Sequence, residues 1–323
     1  MTNVSLKDLA RQLGLSVTAV SKALNDAEDI SEPTKEAVKK LAAEMGYVPN
    51  RLALSLKRGT TKTIAVVIND FRNPYFAALC DIAIKKINAK GYQANFFFTN
   101  KHLVALDDIY EILNNKCISI LSFVEPTDEV ADFTMKRNLP FFLVGINSPS
   151  PQINSIYTDD YEGGKQVGEY FVKSNYKKGL FLTNSFSETS YRRYSGFSDV
   201  LAHHQKNVNI IPFSGVSDDE IIKSSLATIK LNKYDFVFCF SDYLAIILKR
   251  ALKTINYHEK IMIFGYDNLN KYYQIIEKIN SVSADYEEII EFTVDEIIAY
   301  ANKSKNEQIN INKVFPTSIV FEN

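Results

Sequence analysis

GLSVTAVSKALN, residues 14–25, reads as a short helix entered through a tight turn. Gly14 can take the left-handed backbone that stops a preceding helix, and Ser16 can cap the one that follows. Val20 and Leu24 stand four apart on one face, while Val17, Thr18, Ser21 and Lys22 occupy the other. Upstream, SLKDLARQL sets Leu6, Leu9, Ala10 and Leu13 on one stripe, and the small Ala10 lets two helices cross closely. Downstream, Ser31 is a cap, Pro33 lies in a first turn, Val38, Leu41, Ala42 and Met45 are the apolar positions, and Gly46 is a stop. Three helices around one very small core are expected before Pro49. The outer face of the second helix offers short polar groups, one cation and a valine. Helix pattern alone leaves two readings open: an ordinary bundle that binds a protein or nothing, and a face that reads DNA.

Residues 50–61, NRLALSLKRGTT, form a short cationic connector with Gly59 near its end. From residue 62 the period changes. TIAVVIND (63–70) is a compact β-branched run, PYFAALCDIAIKKINAKG (74–91) an amphipathic helix with Gly91 after its last turn, and YQANFFFTN (92–100) a second strand. Helices over 104–113, 129–136, 161–173, 194–204, 220–229, 243–253 and 287–300 then alternate with strands CISILSF, PFFLVGI, GLFLT, VNIIPF, DFVFCF and IMIFGYD. Only NSPSPQINS (147–155) interrupts the rhythm, as a turn-rich stretch. Such alternation requires parallel sheets covered on both faces. About 260 residues of it exceed one open sheet, so two α/β lobes with a cleft between them are expected. Ligands meet such sheets beyond the carboxyl ends of the strands, here the loops starting at Asp70, Asn184, Ser241 and Asp267.

The bulk properties exclude several classes. With 46% hydrophobic and 23% charged residues the composition is that of a globular protein, without a long disordered tail. The opening MTNVSLKDLARQLGLS carries charges where a secretion signal needs an apolar core, and no segment is long and apolar enough for a membrane span. A cytoplasmic chain without a membrane partner is expected. Cys80, Cys117 and Cys239 lie far apart in apolar runs and read as reduced core thiols. His203 and His204 are adjacent and cannot share a helix face, so no metal site is expected. A net charge of -1 argues against a chain basic all over, though not against a local nucleic-acid footprint. There is no nucleophile elbow and no GxGxxG or GxxxxGK loop, so no catalytic residue, cofactor or enzyme activity is expected. Asp159 and Asp160 read as a helix cap and crossover lining rather than a catalytic pair.

VSLKDLARQLGLSVTAVSKALND, followed by ISEPTKEAVKKLAAEMGYVPNRLALSLKRG, closely resembles the DNA-binding headpiece of the lactose-repressor/galactose-repressor (LacI/GalR) family. The match runs without a gap over residues 4–56 and includes Asp8, Ala10, Gly14, Ser16, Val20-Ser21, Asn25, Gly46-Tyr47, Pro49-Asn50, Ala53 and Leu56. The rest resembles the family's periplasmic-binding-protein-like (type I) effector domain. That likeness is strongest at TIAVVINDFRNPYFAAL, SIYTDDYEGGKQVGEYF, YRRYSGF, FSDYLAIILKRAL, IFGYDN and VFPTSIVFEN. It weakens over 101–123, where NNKCISILSF replaces the Asp-Gly usual before the third strand.

The resemblance implies an all-α helix-turn-helix headpiece at 1–49, a hinge helix and linker at 50–61, and a two-lobe α/β effector-binding and dimerisation domain at 62–323. It implies base contacts from Val17, Thr18 and Lys22, and phosphate contacts from Ser16, Ser21, Asn25, Ser31 and Thr34. Lys22 stands where relatives often carry arginine, which loosens the geometry of a guanine contact. Asn50, Ala53 and Leu56 match the hinge, with Leu56 as the minor-groove wedge. In the effector domain Arg193, Asp267, Ser241 and the aromatics Phe71, Tyr75 and Phe76 match ligand-facing positions, although Ser241 replaces a usual asparagine and Gly145 a frequent aspartate. The expected protein is a homodimeric, sequence-specific repressor of carbohydrate-utilisation genes. Its expected partners are a palindromic double-stranded operator and a small sugar or sugar-phosphate effector. The alternatives are a purine or nucleoside effector, a co-repressor mode, and, remotely, a solute-binding module or enzyme without DNA binding.

Overall fold

Three helices build the amino-terminal unit: α1 (Leu6–Leu13), α2 (Val17–Leu24) and α3 (Glu32–Glu44). The structure, a computed structural model, describes residues 4–48, 61–183, 187–206, 208–212, 218–274, 277–302 and 310–322. It divides into the units Met1–Thr61 and Lys62–Asn323.

In the first unit the local signals act as expected. Ser5 and Asp8 close a reciprocal cap on α1, with the Ser5 N–H donating to Asp8 Oδ2 at 3.0 Å. Gly14 ends α1 at φ 63°, and Ser16 Oγ accepts the Ala19 N–H at 3.1 Å to start α2. Leu9, Ala10, Val20, Ala23, Val38 and Ala42 form the buried core, while Leu24 is only partly covered. Full burial of a valine contributes about 1.5–3 kcal/mol, a large share of what so small a unit can have. Ser31 stands at the cap of α3, but its hydroxyl pairs with Thr34 Oγ1 at 2.8 Å instead of a backbone N–H.

The second unit contains two six-stranded sheets. The first lobe is built from β1 (Thr63–Ile68), α4 (Pro74–Ala89), β2 (Gln93–Phe98), α5 (Leu106–Asn114), β3 (Ser119–Ser122), α6 (Asp128–Lys136), β4 (Phe141–Val144) and β5 (Asn154–Thr158). The chain then enters the second lobe: α7 (Asp160–Lys173), β6 (Gly179–Thr183), α8 (Glu188–His203), β7 (Val208–Pro212), α9 (Asp218–Asn232), β8 (Phe236–Cys239), α10 (Asp242–Thr254), β9 (Met262–Tyr266) and β10 (Asn280–Ser283). It returns through α11 (Tyr286–Asn302) to β11 (Asn312–Phe315) in the first sheet and ends with β12 (Ser318–Val320) in the second.

The first sheet runs β2-β1-β3-β4-β5-β11, all parallel, with Val66 beside Phe96 on one side and Leu121 on the other. The second runs β7-β6-β8-β9-β10-β12, where only β12 is antiparallel. The strand period of two explains the layers. Ile64, Val66 and Ile68 pack with Leu79, Ala83 and Ile87 of α4 and Ile290 and Val294 of α11. Ala65 and Val67, on the opposite face, pack with Ile109 and Ile112 of α5 and Val130 of α6. The second lobe repeats the scheme, with Phe181, Phe236 and Phe264 against α7 and α8, and Leu182, Val237 and Cys239 against α9 and α10.

Hydrogen bonds tie the crossovers together. The Asp159 N–H donates to the Phe315 carbonyl at 3.0 Å, and Gln166 Nε2 to the Thr317 carbonyl at 2.9 Å.

Several elements depart from the sequence reading. Helix α8 starts at Glu188, six residues before the expected 194, because Ser187 caps it and its first turns carry polar side chains. Strands β5, β10, β11 and β12, unread in the sequence, are three to five residues each, and β11 and β12 are added to the sheet edges by the returning chain. Before β3, Lys116 takes a left-handed turn at φ 55° within the NNKC stretch. The three cysteines are buried and unbridged, and burial pushes the Cys80 and Cys117 thiols up to about 11. Among the described residues no helix is long and apolar enough to cross a membrane, and no group of three His, Cys, Asp or Glu side chains is placed to hold a metal ion.

Candidate functional site

The first candidate surface is the outer face of α2. Its inner face is spent on the core through Val20 and Ala23, so Val17, Thr18 and Lys22 stand outward, Val17 with 40% of its surface exposed. An apolar side chain is held in water here beside a hydroxyl and an ammonium, a set that matches the thymine methyl and the guanine O6/N7 edge of a major groove. Lys22 Nζ pairs with Asp29 of the turn after the helix. Asn25 Nδ2 donates to the Ser21 carbonyl at 2.6 Å, and Ser21 is half-buried. Ser16 spends lone-pair capacity on its cap bond but keeps its O–H, and Ser31 and Thr34 share one hydrogen between their hydroxyls. Asn50, Ala53 and Leu56 lie outside the described residues.

The second candidate site lies in the larger unit, where the crossovers and both lobes meet. Its centre is Arg193 of α8, 6% exposed. Arg193 Nε donates to Asp160 Oδ1 at 2.8 Å, Nη1 to the Phe240 carbonyl at 2.6 Å, and Nη2 lies 3.8 Å from Asp267 Oδ1. The guanidinium carbon sits 3.5 Å from the centre of the Tyr266 ring.

Glycines make this geometry possible. A Cβ on Gly164 of α7 would stand 2.0 Å from the Arg193 carbonyl oxygen, and one on Gly196 of α8 would stand 2.0 Å from the Tyr161 carbonyl oxygen. The two helices therefore touch backbone to backbone, which brings Arg193 alongside Asp160. Asp267 ends β9 with φ 100°, a conformation that costs a non-glycine residue about 1–3 kcal/mol. It is held there by its N–H on the Val282 carbonyl at 2.8 Å. Behind it, Asp242 accepts the Leu269 N–H and the Ser281 hydroxyl, each at 2.7 Å, fixing the turn Leu269–Lys271.

Aromatic hydroxyls complete the site. Tyr286 Oη, from the second crossover, donates to Asp267 Oδ1 at 3.4 Å, and its ring packs edge-on to Tyr75 of the first lobe at 5.2 Å. Tyr273 Oη of the second lobe donates to the Pro74 carbonyl of the first at 2.8 Å, so the two lobes are in contact. Asn270 Oδ1 and Nδ2 and Tyr272 Oη are buried without a hydrogen-bond partner.

Burial dominates the electrostatics. It pushes the Asp267 carboxyl up to about 7, against the pull of Arg193 and with a further push from Asp160. Burial likewise raises Asp160, opposed by Arg193, and raises Asp242 well above its ordinary value. For Arg193 burial works against the charge, but Asp160 and Asp267 outweigh it and hold the group above its ordinary value. The cluster can thus donate from one fixed cation and accept at one poised carboxylate.

Of the six residues expected to face an effector, the structure brings Tyr75, Arg193 and Asp267 together. Phe76 turns toward the first-lobe core beside Phe123, Ser241 caps α10 by accepting the Leu244 N–H at 3.3 Å, and Phe71 is 59% exposed, stacked on Phe98.

Two family models cover most of the chain: the bacterial regulatory proteins of the lacI family over residues 5–50, and the periplasmic binding proteins and sugar binding domain of the LacI family over residues 61–290. The chain belongs to the LacI family. Its relatives include the HTH-type transcriptional repressor PurR of Photobacterium profundum, 26% identical over 275 residues and 82% of each chain. PurR of Vibrio vulnificus is 25% identical over 274 residues, again 82% of each. Among solved structures, the lac repressor dimer bound to operator and the anti-inducer ONPF superposes with a TM-score of 0.81 at 19% identity, over 99% of this chain and 98% of that one. The transcriptional regulator CelR–cellobiose complex gives 0.66 at 18% identity, over 98% of each.

This LacI-family chain is a DNA-binding transcriptional regulator with a small-molecule effector domain, not an enzyme. Three members of its central cluster escaped sequence reasoning. Asp160 read only as cap or crossover lining; Asp159 does cap α7, through the Glu162 N–H at 3.1 Å, and leaves Asp160 to Arg193. Tyr266 looked like an ordinary strand residue before Asp267. Tyr286 stands at the start of a helix whose apolar period hides its hydroxyl.

Proposed function

We propose that this chain is a cytoplasmic homodimeric repressor of carbohydrate-utilisation genes, released from a near-palindromic operator when a small sugar occupies the cleft of the larger unit. The division is a headpiece at 1–49, a hinge helix and linker at 50–61, and an effector and dimerisation domain at 62–323. The observation that carries the reading is the outward face of α2, where Val17 and Thr18 are held in water beside Lys22 while the inner face is fully used by the core. Val17, Thr18 and Lys22 read base edges; Ser16, Ser21, Asn25, Ser31 and Thr34 fix register on phosphates. Asn50, Ala53 and Leu56 form the hinge, and Leu56 wedges into the minor groove.

For the effector, Arg193, Asp267 and Tyr75 are the contacts the cluster supports best, with Phe71, Phe76 and Ser241 at its margin. The charge of Arg193 is already answered by Asp160 at 2.8 Å and Asp267 at 3.8 Å. An uncharged polyol, whose hydroxyls both donate and accept, suits this cluster better than a phosphate does. A purine effector is the second reading, favoured by the PurR relatives.

One experiment tests both halves. The full chain is used to select duplexes from a randomised library, and its melting temperature is measured against panels of sugars, sugar phosphates and purines. Inverted repeats and a shift with an uncharged sugar are expected. Selection of no common sequence overturns the DNA reading, and a shift confined to purines overturns the sugar. Leu56→Ala is expected to lose most affinity for the selected duplex while keeping the sugar-induced shift.

A further inference from the structure

We propose that Asp29 is a positioning residue for base recognition: it holds the Lys22 ammonium by one donor and aims the other two at the base edge. The inference rests on Lys22 being a base reader. Lysine is a flexible point charge, whereas arginine presents a rigid fork. A lysine on a reading helix therefore discriminates poorly unless something fixes it.

In this headpiece something does. Lys22 Nζ is bonded to Asp29 Oδ2, yet about half of its side chain stays exposed, 47% against 57% for Asp29. An ammonium has three N–H donors, and a carboxylate that takes one leaves two for guanine O6 and N7. The hydrogen bond from Lys22 also holds the Asp29 carboxyl below its usual range, so it stays ionised at neutral pH.

The charge balance of the headpiece points the same way. Residues 4–48 contain six lysines and arginines against seven aspartates and glutamates. Two further cations are answered by acids, Lys35 by Glu32 at 2.6 Å and Lys39 by Asp26. Non-specific binding to DNA rests on unopposed cations released onto phosphates. This headpiece carries little of that attraction, so more of the discrimination falls on the orientation of the few groups that touch bases. Asp29 serves both ends: it keeps Lys22 off the phosphates and keeps it pointed at the groove.

The test uses the full chain and the duplex selected by the parent protein, with every base pair of one half-site varied in turn, beside a scrambled duplex. Lys22→Met first locates the base pair Lys22 reads, as the position where preference collapses. Asp29→Ala is then expected to cut preference at that same base pair by about threefold to tenfold and to raise affinity for the scrambled duplex. Its salt dependence should steepen by about one logarithmic unit per protomer, as for one more cation on phosphate. Asp29→Asn, which conserves shape, guards against a folding defect and should behave likewise. Added to Lys22→Met, Asp29→Ala should change preference no further, and Lys22→Arg should restore it in the Asp29→Ala background. If Lys22→Met alters no single base pair, the assignment of Lys22 as reader fails and the inference with it. If Lys22→Met does so but Asp29→Ala leaves preference intact, or lowers it equally without Lys22, the inference alone is overturned.

Discussion

Asp267 concentrates the physics of the proposed effector site in one residue. It is buried, 3% exposed, held at a left-handed φ of 100°, and its carboxyl is raised from 3.8 to about 7 mainly by burial. A folded-state acid with a raised pKa binds more protons than the unfolded chain between about pH 4 and 7, so this group lowers stability as pH rises through that window, by up to about 1.4 kcal/mol per pH unit. Above pH 7 the loss is complete. Asp267→Asn should therefore show a flatter pH dependence of urea unfolding than the parent from pH 4 to 7. Equal slopes would mean that Asp267 ionises in the fold as it does in water. At this scale the sequence was informative where a side chain's chemistry had one plausible use: Arg193 and Asp267 were named and do meet. It was silent on Tyr286, whose hydroxyl reaches the cluster from a helix start, and on Tyr266, whose ring lies under the Arg193 guanidinium from a buried strand, positions where rings ordinarily pack.

At the scale of elements, the pair α7 and α8 places Arg193, and glycine decides how closely they approach. A methyl group at Gly196 would lie 2.0 Å from the Tyr161 carbonyl oxygen and 2.7 Å from the Lys165 nitrogen, both backbone atoms that cannot step aside. Gly196→Ala is expected to cost about 1–3 kcal/mol of stability by overpacking and to part Arg193 from Asp160. Calorimetry should then show effector affinity falling further than the melting temperature alone explains; unchanged affinity in a destabilised protein would dissociate the helix contact from the site. The sequence announced these helices through their apolar period but not the start of α8, whose turn of Glu188, Thr189 and Ser190 is polar. It also hid β5, β10, β11 and β12. These strands are short, and β11 and β12 owe their pairing to a chain that has left a lobe and returned, which no local period encodes.

Across the whole molecule, the α/β alternation made two lobes legible, and the gapless headpiece made DNA recognition legible. The threefold crossing between lobes was not, because it depends on the unread strands. Those crossings matter for the proposed regulation, since Asp160 and Tyr286 sit on two of them and both bond into the Arg193–Asp267 cluster. A ligand that fills the cluster acts on the segments that join the lobes. It can shift DNA affinity only by binding the two states unequally, and the effect must be reciprocal. The most direct test is to measure the affinity of the full chain for its selected duplex at fixed salt, with and without the sugar that raises its melting temperature, and the sugar affinity with and without the duplex. The account predicts that each ligand weakens the other by the same factor, at least about fivefold; two affinities that ignore each other would contradict it.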